Sequence, residues 1–144
     1  MPYIIRKALF TDIEQIQQIE QESINSWTYS QFLEELKHDF AVLLVYETEG
    51  QICGYISAWI IEGQAEIISF AVTGDSGRQG IGSKLFMAFA SIALENNSRS
   101  IILEVRSRNI PALNFYRKKG FTEKGMRKNY YPDDDAILME KILT

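Results

Sequence analysis

The sequence predicts an α/β (α+β) fold in a single domain spanning residues 1–144, built on a mixed, mostly antiparallel sheet of about seven strands flanked by four helices. Three observations predict it. Apolar runs at 40–48, 51–61 and 66–72 follow one another across short turns, as in an antiparallel meander. The period then changes, and residues 80–95 carry Ile81, Leu85, Met87, Ala88, Ile92 and Leu94 in one long helical run. A short apolar strand, a helix and two further strands complete the order β-α-α-β-β-β-α-β-α-β-β.

Taken in order, residues 3–9 read as the first strand. Thr11 with Glu14 has the capping-box spacing, and Ile13, Ile16 and Ile19 supply the apolar face of a first helix. Thr28 with Gln31 repeats the cap, ahead of a helix faced by Phe32, Leu33 and Leu36. Glu49-Gly50 and Gly63 mark the turns of the meander. Ser100 to Val105 is a strand, and Asn109 is placed to cap a helix carrying Leu113 and Tyr116. That helix ends at Gly120, suited to a left-handed C-terminal cap. Residues 121–131 and 136–143 are the last two strands.

Composition narrows the function classes. The chain is 46% hydrophobic and 24% charged, ordinary for a globular protein, and no run of 18 apolar residues suggests a membrane span. The N-terminal residues lack signal-peptide order, and the single cysteine, Cys53, excludes an internal disulfide and a cysteine zinc site. Cytoplasmic location is the expectation, with no metal and no membrane partner. The pI of 5.1, without a basic aromatic stripe, argues against nucleic acid. The net charge of −4 hides a split: residues 1–66 balance at −8 and residues 67–144 at +4. A basic half suits an anionic ligand and an acidic half a cationic one, although sequence halves need not be spatial halves.

The strand at 66–72 leads through Arg78-Gln79-Gly80-Ile81-Gly82-Ser83 into a helix. Free N–H groups at a helix start, with glycines that let an anion approach, make a phosphate site. The dinucleotide fingerprint fails, because Leu85 stands where its third glycine belongs. The nucleoside-triphosphate loop fails too, because the order is Gly82-Ser83-Lys84. A glycine pair that merely turns the chain is the competing reading. The segment from Phe70-Ala71-Val72 to Gly82 resembles the coenzyme motif of the GNAT superfamily of N-acetyltransferases, Gln/Arg-x-x-Gly-x-Gly/Ala. Gly80 and Gly82 match its small positions, and Gly77 departs from its first, where Arg78 is the expected substitute. The resemblance implies acetyl-CoA as cosubstrate and a GNAT fold with a splayed central strand pair. It further implies that the backbone of Phe70, Ala71 and Val72 pairs with the pantetheine arm.

A second constellation is Leu103-Glu104-Val105-Arg106, Asn109, Tyr116 and Gly120-Phe121. Strand alternation puts Glu104 with Ile102 on one face, and burial there would raise its pKa into a general base's range. An amine attacks a thioester only as the free base, and an α-amino group, with a pKa of about 8, yields its proton more readily than lysine at about 10.4. Plain alternatives stay open: Glu104 pairs with Arg106 or Arg108, and Tyr116 is a core aromatic. These residues resemble the RimI-type ribosomal-protein-alanine N-acetyltransferases, which implies Glu104 as proton acceptor, Tyr116 as proton donor and Asn109 as a coenzyme contact. By the same resemblance Trp27, Asn129, Tyr130 and Tyr131 would flank the acceptor. Packing of Trp27 in the core and of the two tyrosines across a hairpin is the alternative.

Asp133-Asp134-Asp135 reads as a solvated charge run, or as a lure for a basic peptide. His38 is expected to be exposed and Cys53 to be core. The resemblance implies a protein N-terminus as acceptor, in particular the N-terminal alanine of a basic ribosomal protein, and an enzyme that is a monomer or weak dimer. Two rival functions remain: a GNAT enzyme acting on a small amine or lysine side chain, and a non-catalytic acyl-CoA-binding regulatory module.

Overall fold

A computed structural model describes residues 2–21, 27–74 and 80–143. Its strands are β1 (Ile4–Lys7), β2 (Ala41–Thr48), β3 (Gln51–Ile61), β4 (Gln64–Val72), β5 (Ser100–Arg106), β6 (Thr122–Tyr131) and β7 (Asp134–Ile142). The helices are α1 (Ile13–Gln21), α2 (Tyr29–Glu35), α3 (Ile81–Glu95) and α4 (Ile110–Lys118). All seven strands form one sheet in the order β1-β2-β3-β4-β5-β7-β6. Every neighbouring pair is antiparallel except β4 and β5, which are parallel with α3 as their crossover.

Local chemistry accounts for most boundaries. The β2–β3 and β3–β4 turns each hold two residues in the left-handed region, Glu49-Gly50 and Glu62-Gly63, whose twist matches a two-residue hairpin. Thr28 caps α2 reciprocally: its hydroxyl accepts the Gln31 N–H at 3.2 Å, and the Gln31 side chain accepts the Thr28 N–H at 2.7 Å. Asn109 Oδ1 accepts the Ala112 N–H at 3.3 Å, which starts α4. The expected Thr11–Glu14 cap of α1 does not form. A 3₁₀ turn at Phe10–Asp12 precedes that helix instead, and the Asp12 carboxylate accepts the Leu9 N–H at 2.7 Å. The same carboxylate takes the Arg6 guanidinium through two bonds, of 2.7 and 3.0 Å. A short acid within reach of β1's arginine therefore outcompetes the threonine.

Helices cover both faces of the sheet. On one, α1 and α2 bury Ile13, Ile16 and Phe32 against Leu43, Val45 and Tyr55. On the other, α3 and α4 bury Leu85, Phe86, Phe89 and Leu113 against Ile56, Ile101, Leu103 and Met139. No helix among the described residues is long and apolar enough to cross a membrane. Cys53 is half-buried and packs on the second core, and His38 is exposed and stacks on Phe40 at 4.8 Å.

Candidate active site

The site arises where the parallel strands part. β4 and β5 pair only from Gln64↔Ser100 to Ile67↔Leu103. β4 stays with β3 up to Val72↔Gly54, and β5 stays with β7 up to Arg106↔Ala136. Between Ile67↔Ala58 and Ser69↔Ser57 the β3–β4 register shifts, which makes Ile68 a bulge residue. The ends of β4 and β5 thus diverge and leave two facing strand edges without a ladder partner.

Two clefts fill this opening. One of about 400 Å³ lies between Glu66–Phe70 of β4 and Leu103–Arg106 of β5. Its remaining wall comes from Glu20, Trp27, Asn109, Tyr130 and Tyr131. The other, of about 290 Å³, is lined by Phe70, Ala71, Val72, Gly80, Gly82, Ser83 and Phe115. Phe70, Ala112 and Tyr116 border both. The smaller cleft is shaped by missing side chains. A Cβ on Gly82 would lie 3.6–3.8 Å from the rings of Phe70 and Phe115 and would narrow it. Gly80 begins α3 with φ +74°, a left-handed backbone at the N-terminus of the helix.

Tyr116 is buried, and its ring packs edge-on against Phe115 at 5.4 Å and Phe121 at 5.3 Å. Burial pushes its phenol well above the ordinary value and so keeps it protonated. Glu104 stands on β5 with its side chain 17% exposed. Its Oε2 is buried and makes no hydrogen bond, although Arg127 Nε lies 3.5 Å away as an ion pair. Neither Arg106 nor Arg108 is Glu104's partner. The Arg106 guanidinium lies over the Tyr131 ring at 4.1 Å and pairs with Asp133.

Of the residues expected to form the site, Trp27, Glu104, Asn109, Tyr116, Tyr130 and Tyr131 meet at the larger cleft. Phe70, Ala71, Val72, Gly80, Gly82 and Ser83 meet at the smaller one, and Arg78 and Gln79 lie outside the described residues. Ile81, the first residue of α3, is buried in the core, so only its backbone is available there. Asn129 does not line the larger cleft: its backbone is left-handed at φ +55°, and its N–H bonds Asp135 Oδ1 at 2.8 Å. The acidic run is not a free solvated patch. Asp134 accepts from Ser107 Oγ at 2.5 Å and from the Arg108 N–H at 2.9 Å, fixing the turn between β5 and α4. Those bonds, that from Ser107 foremost, hold its carboxyl below the usual range.

Two acids in the larger cleft were missed. Glu66 is raised above the ordinary carboxyl value by burial first and by the charge of Glu104 second, against the pull of Arg127. Its sequence signal equals that of Glu104, an acid among Ala65, Ile67 and Ile68. Glu20 is buried and accepts the Tyr55 hydroxyl and, at 3.2 Å, the Ser69 hydroxyl.

Comparison with known proteins agrees with this geometry. The model of the acetyltransferase (GNAT) family matches residues 8–121. A Bacillus subtilis (strain 168) protein, provisionally named a ribosomal protein bS18-alanine N-acetyltransferase, is 36% identical over 94% of this chain and 92% of its own length. An N-alpha-acetyltransferase of Sulfurisphaera tokodaii is also 36% identical, over 95% of this chain and 91% of its own. The crystal structure of the Escherichia coli ribosomal-protein-S18-alanine N-acetyltransferase superposes with a TM-score of 0.92 at 25% identity, covering 99% of this chain and 95% of that one.

Proposed function

The chain belongs to the acetyltransferase (GNAT) family, and we propose that it transfers the acetyl group of acetyl-CoA to the α-amino group at a protein N-terminus, with the N-terminal alanine of a basic ribosomal protein as acceptor. The observation that carries this reading is the position of Tyr116, which borders both clefts while Glu104 lines the larger one. The names of the bacterial relatives supply the acceptor.

The smaller cleft fits the coenzyme. The partnerless edge at Phe70–Val72 offers backbone groups to an amide-bearing arm, and the Gly80–Ser83 helix start offers N–H groups to phosphates. Arg78, Gln79 and the amide of Asn109 complete the proposed coenzyme set. Acetyl-CoA, when bound, supplies an activated acetyl thioester. Trp27, Tyr130 and Tyr131 wall the acceptor's path, and Asn129 contributes at most its backbone to that hairpin. Glu104 takes a proton from the entering α-amine, directly or through a water, and so frees the nitrogen lone pair for attack. Tyr116, kept protonated by burial, donates its proton to the departing sulfur.

The test is acetylation of a basic peptide that starts with alanine, compared with the same peptide carrying a blocked N-terminus and free lysines, and with a polyamine. Turnover is expected only with the free N-terminus. Equal turnover of the blocked peptide would transfer the assignment to lysine side chains.

A further inference from the structure

A buried polar cluster beside the larger cleft has no part in the acid–base chemistry. It joins three elements: Glu20 near the end of α1, Tyr55 in the middle of β3 and Ser69 of β4. Tyr55 is fully buried and Glu20 is 1% exposed. The Tyr55 hydroxyl donates to Glu20 Oε2, and its ring is anchored edge-on against Phe32 at 5.6 Å. Ser69 Oγ lies 2.5 Å from the Tyr55 oxygen and 3.2 Å from the same carboxylate oxygen, so its single proton has two acceptors. The cross-strand neighbour is not among them. Ser57 stands opposite Ser69, yet its buried Oγ finds no hydrogen-bond partner among the described residues. Ser69 is thus held from α1 and from Tyr55, not by its own ladder partner. It is also the residue that follows the bulge at Ile68. A strand that slips by one residue turns every side chain to the opposite face. Were β4 to slip there, the Ser69 hydroxyl would leave Tyr55 and Glu20 for the apolar core under α3 and α4. Phe70 would at the same time turn away from Phe115, with which it lines the smaller cleft.

We propose that Ser69 is a positioning residue, whose hydroxyl, held by Tyr55 and Glu20, fixes the register of β4 after the bulge and so presents the Phe70–Val72 edge to the coenzyme. This rests on the reading of the smaller cleft as the coenzyme site. Ser69 does not line that cleft, so it acts through the strand and not by contact.

The experiment is calorimetric titration of coenzyme A into the whole protein and into Ser69→Ala, Tyr55→Phe and the double variant. The Kd should rise about tenfold in each single variant, as expected for loss of one buried hydrogen bond. The double variant should bind no more weakly than the weaker single one, because both changes release the same pin. Ser69→Thr keeps the hydroxyl and should stay within about threefold of the parent. Ile13→Val truncates the α1–α2 core at the opposite end of α1 from Glu20; it should lower stability and leave the Kd within about twofold. An unchanged Kd in Ser69→Ala, multiplied losses in the double variant, or an equal loss in Ile13→Val overturns the role of Ser69. If the unaltered protein does not bind coenzyme A, the coenzyme reading falls and this inference with it, an outcome distinct from a binding parent with indifferent variants.

Discussion

Tyr116→Phe removes a single oxygen and leaves the ring. The ring is held by edge contacts to Phe115 at 5.4 Å and Phe121 at 5.3 Å and a tilted contact to Phe70 at 6.5 Å, and none of these involves the hydroxyl. Folding stability near neutral pH should therefore change by about 1 kcal/mol or less. Coenzyme affinity should hold as well, since Gly80, Gly82, Ser83 and the β4 edge are untouched. Turnover should fall by about 10²–10⁴, the usual contribution of a positioned proton donor. That loss corresponds to about 2.7–5.4 kcal/mol of barrier. The assay is release of free thiol from acetyl-CoA with saturating peptide, beside calorimetric titration of coenzyme. A kcat within about threefold of the parent would refute the donor role. The phenol also has a signature in stability. Burial holds the folded group above the ordinary value of about 10, so its contribution is complete below about pH 10 and is lost as pH rises further. Alkaline denaturation of the parent should be steeper than that of the variant, by up to about 1.36 kcal/mol per pH unit.

Three more outcomes follow from other parts of the structure. A Cβ at Gly54 would lie 2.9 Å from Val72 Cγ1 and 3.2 Å from the Ala71 carbonyl oxygen, so Gly54→Ala should cost about 1–3 kcal/mol in urea unfolding and raise the coenzyme KM by displacing the β4 edge; an unchanged midpoint and KM would contradict this. Asp12, held below the usual carboxyl range first by its bonds to Arg6, binds fewer protons folded than unfolded. Its contribution is present above about pH 4 and lost as pH falls further, so Asp12→Asn should flatten the acid limb of stability, and parallel acid limbs would count against it. Tyr55→Phe strips a hydroxyl that donates to buried Glu20 and contacts Ser69 at 2.5 Å, so it should destabilise by about 1–3 kcal/mol in thermal melts; no loss would show that Glu20 is satisfied without it.

What the sequence disclosed was chiefly what neighbouring residues decide. Thr28 with Gln31, Asn109 with Ala112 and the two hairpin turns are local bargains between side chain and backbone, so spacing alone located them. The Arg127–Glu104 ion pair was not visible, because it depends on β7 lying between β5 and β6. Spacing offered Arg106 or Arg108 as alternatives, and Arg106 pairs instead with Asp133 and lies over the face of Tyr131. The acidic run misled for a similar reason: Asp134 finds hydroxyl and backbone donors on the β5–α4 loop, distant in sequence, while Asp135 takes the Asn129 N–H within its own hairpin. Thr11 failed as a cap because the competing acid, Asp12, gains a guanidinium that only the β1–α1 packing supplies. Glu66 shows the same limit, since its meaning comes from the register that brings it near Glu104.

The bulge at Ile68 explains how one strand serves two clefts. Glu66, Ser69 and Ala71 lie opposite Trp59, Ser57 and Tyr55, which share one face of β3. Ile67 and Phe70 lie opposite Ala58 and Ile56 on the other. Simple alternation from Glu66 would have put residue 70 on the α1–α2 face. The extra residue reverses the parity, so Phe70 turns toward α4 and meets Phe115 at 5.7 Å, while Glu66 stays on the α1–α2 face and lines the larger cleft. Divergence of β4 from β5 begins at that same point, because a bulged strand bends away from its partner. One inserted residue thus accounts for the opening, for the partnerless strand edge along the smaller cleft, and for the assignment of an aromatic to one side and an acid to the other. Tyr116, reaching the opening from α4, borders both clefts because the strands part in front of it.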